Sequence, residues 1–455
     1  MARTSSPLDI SGRGGGAPAQ GRERSRRSRI WRCRPAGSRK DSSLMRSRSS
    51  SNCRSSLPLS QFARGGLIGC ISTSTSARPN RTLQACGRVS APADEEDITS
   101  MDFTDPMERR ARDPSGMLEL ILRLPEMCVE AWALPVQPPL PAVRPAQIVA
   151  LGMGGSGIGG DLLRAVLYDE ATIPVTSAKE YRAPSSVSSD SLVFACSYSG
   201  NTEETLAAYD EASARGALCV AVTSGGALLA RARDRRHPAV VVPQGLPPRA
   251  ALAYLFLPML AVLSRAGIVR PYDAEVDEAV AVLKAVLARL GPDGADARAR
   301  SLAAALVGRI PVVYSSSPFL EPAAQRWKDQ FNENAKTFAV WNTFPELNHN
   351  ETVGWGVDPE LARHIHVILL REGREPARLA QRVEITKELA FRKAAGLDEI
   401  VSEGEGKVSR LLSIIATGDL VSWYLALRRG VDPTPVAVID ELKRRLADHP
   451  RAGRR

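Results

Sequence analysis

The sequence predicts an α/β protein: two consecutive parallel sheets, each covered on both faces by helices. Three observations point there. From Ala146 onward, short apolar runs alternate with amphipathic helical stretches, the signature of parallel strands joined by crossover helices. Loops rich in Gly or Ser stand at two of the strand-to-helix junctions. The pattern pauses at Gly267 and Pro271 and then restarts. That puts a boundary near 268–275 and gives expected domains 101–270 and 271–455.

Residues 1–100 read differently. Segments such as SRRSRIWRCRPAGSRKDSS and MRSRSSSNCRSS are rich in Ser and Arg without apolar periodicity, so a disordered tail is expected. The tail holds 18 Lys+Arg and 7 Asp+Glu, a net of +11 in a chain whose total is +10. The other 355 residues are therefore close to neutral, and a nucleic-acid partner for the body of the protein loses its electrostatic support. The favoured expectation for the tail is a start codon read too early, with translation beginning at Met101. An organellar transit segment comes second and a nucleic-acid-binding arm last. Outside the tail only Cys128, Cys196 and Cys219 remain, which suits a reducing, cytoplasmic compartment rather than a disulfide scaffold. Cys196 and Cys219 lie in apolar runs and read as buried thiols. No membrane span is expected. The most apolar stretch, Ala251–Ser264, is too short to cross a bilayer and contains Pro258.

The expected strands of the first domain are AQIVALG (146–152), IPVTSA (173–178), SLVFACS (191–197), ALCVAVTS (217–224) and PAVVVP (238–243), with helices following Ser156, Thr202, Gly225 and Arg249. In the second domain a helix at 274–290 leads to strand PVVYSS (311–316). A helix at 321–336 and strands TFAVWN (337–342) and HIHVILL (364–370) come next, and helices are expected to dominate from there to the end.

GMGGSGIGGD (152–161) follows the first strand and opens a helix. Gly152, Gly154 and Gly157 satisfy G-x-G-x-x-G, so a dinucleotide site must be weighed. Glu180, the nearest acid at the expected distance, falls after the second strand rather than at its end. Ser156 would offer a hydroxyl together with helix N-terminal N–H groups to an anion. The third strand runs into Ser197-Tyr-Ser199-Gly-Asn-Thr202-Glu-Glu-Thr. Asn201 and Glu204 have capping-box spacing. Yet Ser197, Ser199 and Thr202 also gather three small hydroxyls at one helix start, which suits a phosphate dianion. A dinucleotide site has no need of this second loop.

MGGSGIGGD together with SYSGNTEET resembles the sugar isomerase (SIS) domain family. Over about Met101–Ala447 the chain is similar to the bifunctional phosphoglucose/phosphomannose isomerases, which carry two SIS domains in tandem. RWKDQFNENAK, FPELNHNETVGW and VDPTPVAVIDELK are the other matching blocks. The first loop departs slightly, reading GSGIGG where an alanine commonly follows the serine. The resemblance implies flavodoxin-like three-layer sandwiches and aldose–ketose isomerisation of glucose 6-phosphate and mannose 6-phosphate with fructose 6-phosphate. It also implies no metal or other cofactor, a homodimer with shared active sites, and a place in glycolysis and gluconeogenesis. The substrate would lie against Gly155, Ser156, Ser197, Ser199 and Thr202, with Thr434 lining the sugar pocket.

Moving a proton between C2 and C1 through a cis-enediol needs a base, a ring-opening group, charge near the oxyanion and a phosphate anchor. A helical Glu such as Glu333 is ordinarily a solvated charge, but Asn332 and Asn334 are poor neighbours for a plain helix interior. The resemblance gives Glu333 the role of base and His349 that of ring opener, reaching the partner subunit's site. It gives Arg249 enediolate stabilisation and Lys443 assistance in ring opening. Lys443 stands among three basic residues that otherwise read as a solvated face. His364 and His366 form an H-x-H pair without a third ligand at helpful spacing, so a metal site is set aside. The alternative from another class is a sugar-phosphate-sensing SIS protein without turnover.

Overall fold

The computed structural model describes residues 103–356 and 358–449. The expected disordered tail, its competing accounts and its four cysteines lie outside the described residues. Three helices that no sequence pattern announced come first: α1 (Pro106–Arg112), α2 (Met117–Leu122) and α3 (Leu124–Ala133). Asp105 caps α1 by accepting from Met107 N–H. The buried Asp113 carboxylate takes the N–H groups of Met117 and Leu118, both at 2.9 Å, and so fixes the start of α2.

The first sheet is built from β1 (Gln147–Gly152), β2 (Val175–Ala178), β3 (Ser191–Cys196), β4 (Leu218–Thr223) and β5 (Ala239–Val241). Its order is β2-β1-β3-β4-β5 with all pairs parallel, the flavodoxin-like arrangement. The connecting helices are α4 (Gly154–Leu167), α5 (Glu203–Ala214), α6 (Gly226–Asp234) and α7 (Leu252–Arg265). β3 is buried along its whole length. All five expected strands are present; β1, β3 and β4 are buried almost throughout and read as continuous apolar runs, while β2 and β5 are partly exposed edge strands.

After α8 (Asp273–Leu290) and α9 (Arg298–Ala305), the second sheet assembles β6 (Ile310–Ser315), β7 (Val340–Thr343), β8 (Ile365–Arg371) and β9 (Gly396–Val401) in the order β7-β6-β8-β9, again parallel. It repeats the first sheet less one strand. Between its strands run α10 (Glu321–Glu333), the short α11 (Glu351–Gly354) and α12 (Pro359–Ala362), and α13 (Ala377–Leu389). The chain ends in α14 (Lys407–Arg428) and α15 (Ala437–Asp448).

Three expectations need correction. Helices dominate after 370 as expected, but an unexpected strand stands among them, since β9 pairs with β8 along its length. It is a half-exposed edge strand with Asp398 and Glu399 inside it, so its apolar signal is thin. The helix from 321 stops at Glu333 instead of 336, since Lys336 adopts a left-handed φ of 53°. The following strand accordingly begins at Val340 rather than Thr337.

One contiguous apolar core fills the space between the two sheets and draws on both, with Leu162 and Phe256 from the first half beside Trp327, Ile415 and Trp423 from the second. Separate clusters cover the outer faces, around Val193 and Tyr209 in the first half and around Val367, Phe344 and Phe391 in the second. Each sheet is thus a middle layer. α14 runs through the shared core against α8, α9 and α10. Among the described residues it is the one helix long and apolar enough to cross a membrane, and the whole of that stretch is buried inside the protein. Cys128, Cys196 and Cys219 are buried free thiols, and burial pushes all three up to about 12.

Candidate active site

Strand order reverses between β1 and β3, and a ligand crevice opens at such a point beyond the carboxyl ends of the strands. There the Ser156 hydroxyl accepts the backbone N–H of Tyr198 at 3.1 Å, tying the two loops together. The N-cap residues of α4 and α5 make no side-chain cap hydrogen bond; α4 also has no acid in its first turn, whereas α5 begins with Glu203 and Glu204. The capping-box reading of Asn201 and Glu204 fails. The Asn201 side chain accepts from Ala227 N–H at 3.0 Å, and Thr202 is the N-cap residue. Ser197 and Thr202 share a hydroxyl–hydroxyl bond of 2.9 Å. Ser199, exposed, accepts from Asn201 N–H at 3.3 Å. Gly200 has a φ of 70°, and a Cβ there would sit 1.9 Å from the Gly225 carbonyl oxygen. That close approach is what turns the loop.

The other wall is Arg249, in a 3₁₀ turn (Pro248–Ala250) ahead of α7. Gly155 lies directly against it: a Cβ would be 3.0 Å from Arg249 N. Arg249 is 4 % exposed. Its Nε donates to Asn334 at 2.7 Å, its Nη2 donates to the carbonyls of Pro433 and Thr434 at 2.8 Å each, and its Nη1 reaches Glu333 at 3.4 Å. The guanidinium therefore joins the first half to the end of α10 and to the 432–434 loop. Beneath it, Asp419 on α14 accepts from Arg326 at 2.7 Å and from Gln330 at 2.9 Å, and Arg326 also donates to the Arg249 carbonyl at 2.9 Å.

Glu333 closes α10, with its side chain 27 % exposed. Burial raises its carboxyl above the ordinary range, and Asp329 adds to the rise. Arg249 is the strongest opposing influence, with Arg326 and Lys336 behind it. A carboxylate lifted in this way is a better base near neutral pH. A narrow cleft is lined by Gly154, Gly155, Ile158, Arg249, Arg326, Asp329, Gln330 and Glu333. The glycine loop of the first half and the carboxylate of the second thus face one space.

Arg326, Asp329 and Gln330 were not singled out from sequence. Their spacing with Glu333 puts them on one face of α10, and a polar stripe at helical spacing was the available signal. Thr434 is present through its carbonyl, and its buried hydroxyl has no hydrogen-bond partner. Of the expected residues, Gly155, Arg249 and Glu333 line the cleft; Ser156, Ser197, Ser199, Thr202 and Thr434 are outside its lining, and two more lie elsewhere on the chain. His349 ends an exposed 3₁₀ turn (Glu346–His349) beyond the edge strand β7. Lys443 lies on α15, which buries no residue and exposes Val438, Leu442 and Leu446. His366 is a buried residue bonded to Asp398 at 2.7 Å and facing Arg309 at 3.2 Å, while His364 is exposed outside the strand. Among the described residues no three His, Cys, Asp or Glu side chains are grouped to hold a metal ion.

Residues 143–267 match the SIS domain family model, and residues 295–446 match that of the bacterial phospho-glucose isomerase C-terminal SIS domain. A bifunctional phosphoglucose/phosphomannose isomerase from Caldicellulosiruptor bescii is 39 % identical over 336 residues, which cover 73 % of this chain and 99 % of the relative. The chain belongs to the bifunctional phosphoglucose/phosphomannose isomerase family. Its architecture is accordingly two SIS domains in tandem. The Aquifex aeolicus member is 37 % identical over 66 % of this chain and 91 % of its own length. A D-glucosamine-6-phosphate 4-epimerase from Sulfolobus acidocaldarius is 32 % identical over 47 % of this chain and 65 % of that protein. Among solved structures, a hypothetical protein from Thermus thermophilus superposes with a TM-score of 0.54 at 18 % identity, covering 78 % of this chain and 95 % of that one. At that identity the match speaks to the fold alone.

Proposed function

We propose that the protein interconverts glucose 6-phosphate and mannose 6-phosphate with fructose 6-phosphate by acid/base catalysis without a metal. The cleft between Gly155, Arg249 and Glu333 carries this reading, beside membership of a family whose relatives bear that name. The substrate phosphate would be held by Ser197, Ser199, Thr202 and Ser156 with the N–H groups opening α4 and α5. Glu333 takes the proton from C2 of the open-chain aldose and returns it to C1. Arg249 offsets the charge that develops on the enediolate oxygen. Thr434, whose hydroxyl lacks an internal partner, is assigned to the sugar pocket.

His349 and Lys443 belong to the same proposal through assembly. An exposed His at the edge of the second sheet and an amphipathic α15 with an uncovered apolar face are the features of a chain that completes its site in a homodimer. Ring opening is assigned to His349 of one subunit, with Lys443 assisting. A cytoplasmic setting in glycolysis and gluconeogenesis goes with this reading.

The test assays the full-length protein with glucose 6-phosphate and mannose 6-phosphate in EDTA, beside Glu333→Gln. Turnover in the parent and a fall of about 10²–10⁴-fold in the variant are expected for loss of a general base. Unchanged turnover in Glu333→Gln sinks the assignment, and loss of parental activity in EDTA sinks the metal-free route. Mixing inactive Glu333→Gln and His349→Ala subunits should restore activity if sites are shared.

A further inference from the structure

In the second sheet, strand order reverses between β6 and β8, which stand where β1 and β3 stand in the first. A serine hydroxyl again takes a backbone N–H there, although Ser316 directly follows β6 whereas Ser156 lies four residues past β1, inside α4. In the first half Ser156 takes the N–H of Tyr198, two residues past Cys196, the last β3 residue paired with β1. In the second half the Ser316 hydroxyl takes the N–H of Glu372 at 3.0 Å, two residues past Leu370, the last β8 residue paired with β6. The last residue of β6 and the loop after it read Ser315-Ser316-Ser317, all three buried. Neither the 3₁₀ turn that follows (Pro318–Leu320) nor α10 has a side-chain cap. A hydroxyl-lined crevice at helix starts is therefore built twice.

The second crevice is filled from within. The Glu372 carboxylate accepts from the Ser317 hydroxyl at 2.7 Å and from Arg410 at 2.6 Å, while the neighbouring Glu375 carboxylate, paired with Arg371 at 3.0 Å, also takes the Glu372 N–H at 3.0 Å. Arg410 is 8 % exposed and lies 4.9 Å from the centroid of the Phe319 ring. A guanidinium so buried needs an anion beside it. We propose that the second half carries a phosphate-type anion crevice, pseudo-symmetric to the first, which the chain occupies with its own Glu372 carboxylate. A tethered carboxylate competes at a high effective concentration, so a phosphate monoester is admitted at the first crevice alone. The comparison rests on the phosphate reading of the first crevice given above, whereas the contacts of the second stand by themselves.

The test compares the full-length protein, Glu372→Ala and Glu372→Ala/Arg410→Met. Each is titrated with inorganic phosphate at constant ionic strength, by equilibrium dialysis and by Tm. Glu372→Ala should bind one more phosphate per chain than the parent and gain a rise in Tm that chloride does not give. The double variant, lacking the stranded cation, should lose both. An unchanged stoichiometry and Tm response in Glu372→Ala overturn the proposal. Folding of Glu372→Ala only when phosphate is present supports it. Failure to fold in either salt, while the double variant folds, overturns it, because phosphate then cannot replace the carboxylate. Ser197→Ala keeps the two readings apart. If it leaves the parent's phosphate binding intact, the first-crevice reading fails. The increment given by Glu372→Ala, measured in the same background, decides the second crevice separately.

Discussion

Replacing Arg249 with Met tests the electrostatic heart of the cleft. The Arg249 Nη1 stands 3.4 Å from Glu333 Oε2. At that separation a unit charge pair is worth about 1 kcal/mol in water and about 5 kcal/mol at an effective dielectric near 20. About a quarter of the Glu333 side chain is exposed, so solvent screening favours the lower part of the range. Removing the charge that opposes the rise should therefore lift the Glu333 pKa further. The assay is the acid limb of kcat/KM against pH for glucose 6-phosphate, checked by the ¹³Cδ titration that disappears in Glu333→Gln. In Arg249→Met the limb should move up. In Arg249→Lys, which keeps the charge but not the fork to Pro433 and Thr434, it should move less. A limb that stays in place or moves down in a folded Arg249→Met protein refutes the reasoning. The stability sign follows: a carboxyl raised in the folded state loses stabilising effect as pH rises through its folded pKa. Arg249→Met should therefore lose stability relative to the parent toward neutral pH.

Asp419→Asn leaves Arg326 buried without its anion, and urea unfolding should show a loss of about 3–5 kcal/mol. Less than about 1 kcal/mol, the range of an exposed pair, would mean that this pair is not a buried anchor. Gly200→Ala drives a Cβ into the Gly225 carbonyl and should cost about 1–3 kcal/mol or more, with phosphate affinity falling in parallel by equilibrium dialysis. Lys336 donates to the carbonyls of Glu333 and Pro433, and burial together with Arg249 lowers its pKa to about 8. The unfolded chain then holds more protons between about pH 8 and 10.4. Parent stability should rise relative to Lys336→Met across that window, and a flat difference would contradict the placement.

The fold was legible in sequence wherever burial on both faces wrote a continuous apolar run, as in β1, β3 and β4. It was least legible at the edge, where β9 needs only its β8 partner and shows solvent its acids. The proposed phosphate loop was readable because Ser197, Ser199 and Thr202 are neighbours in the chain. Asn201 misled because its carboxamide had a choice of amides, and only the fold brings Ala227 N–H close enough to win. The Arg326–Asp419–Gln330 network could not be read locally, since its members are joined only when α10 packs on α14. Glu333 was singled out through its motif, while the cause of its raised pKa, burial that outweighs the opposing pull of Arg249, is a tertiary fact. His349 and Lys443 lie outside the cleft of a single chain, and no local pattern states which surface meets a second copy.

The helix that seals the shared core is made long after the first sheet that it covers. α14 ends at Arg428, yet Trp423 donates to Asp113, Leu427 accepts from Arg112, and the Tyr424 ring lies 6.3 Å from that of Phe103. During synthesis the first sheet emerges well before the helix that covers its inner face. Until that helix arrives, the inner-face residues of the first half have no partner to bury them, and the growing chain carries an apolar surface prone to association. The two SIS domains are separate as sheets but complete themselves together, so a truncation near 270 is expected to yield an aggregating fragment rather than an independent phosphate-binding module.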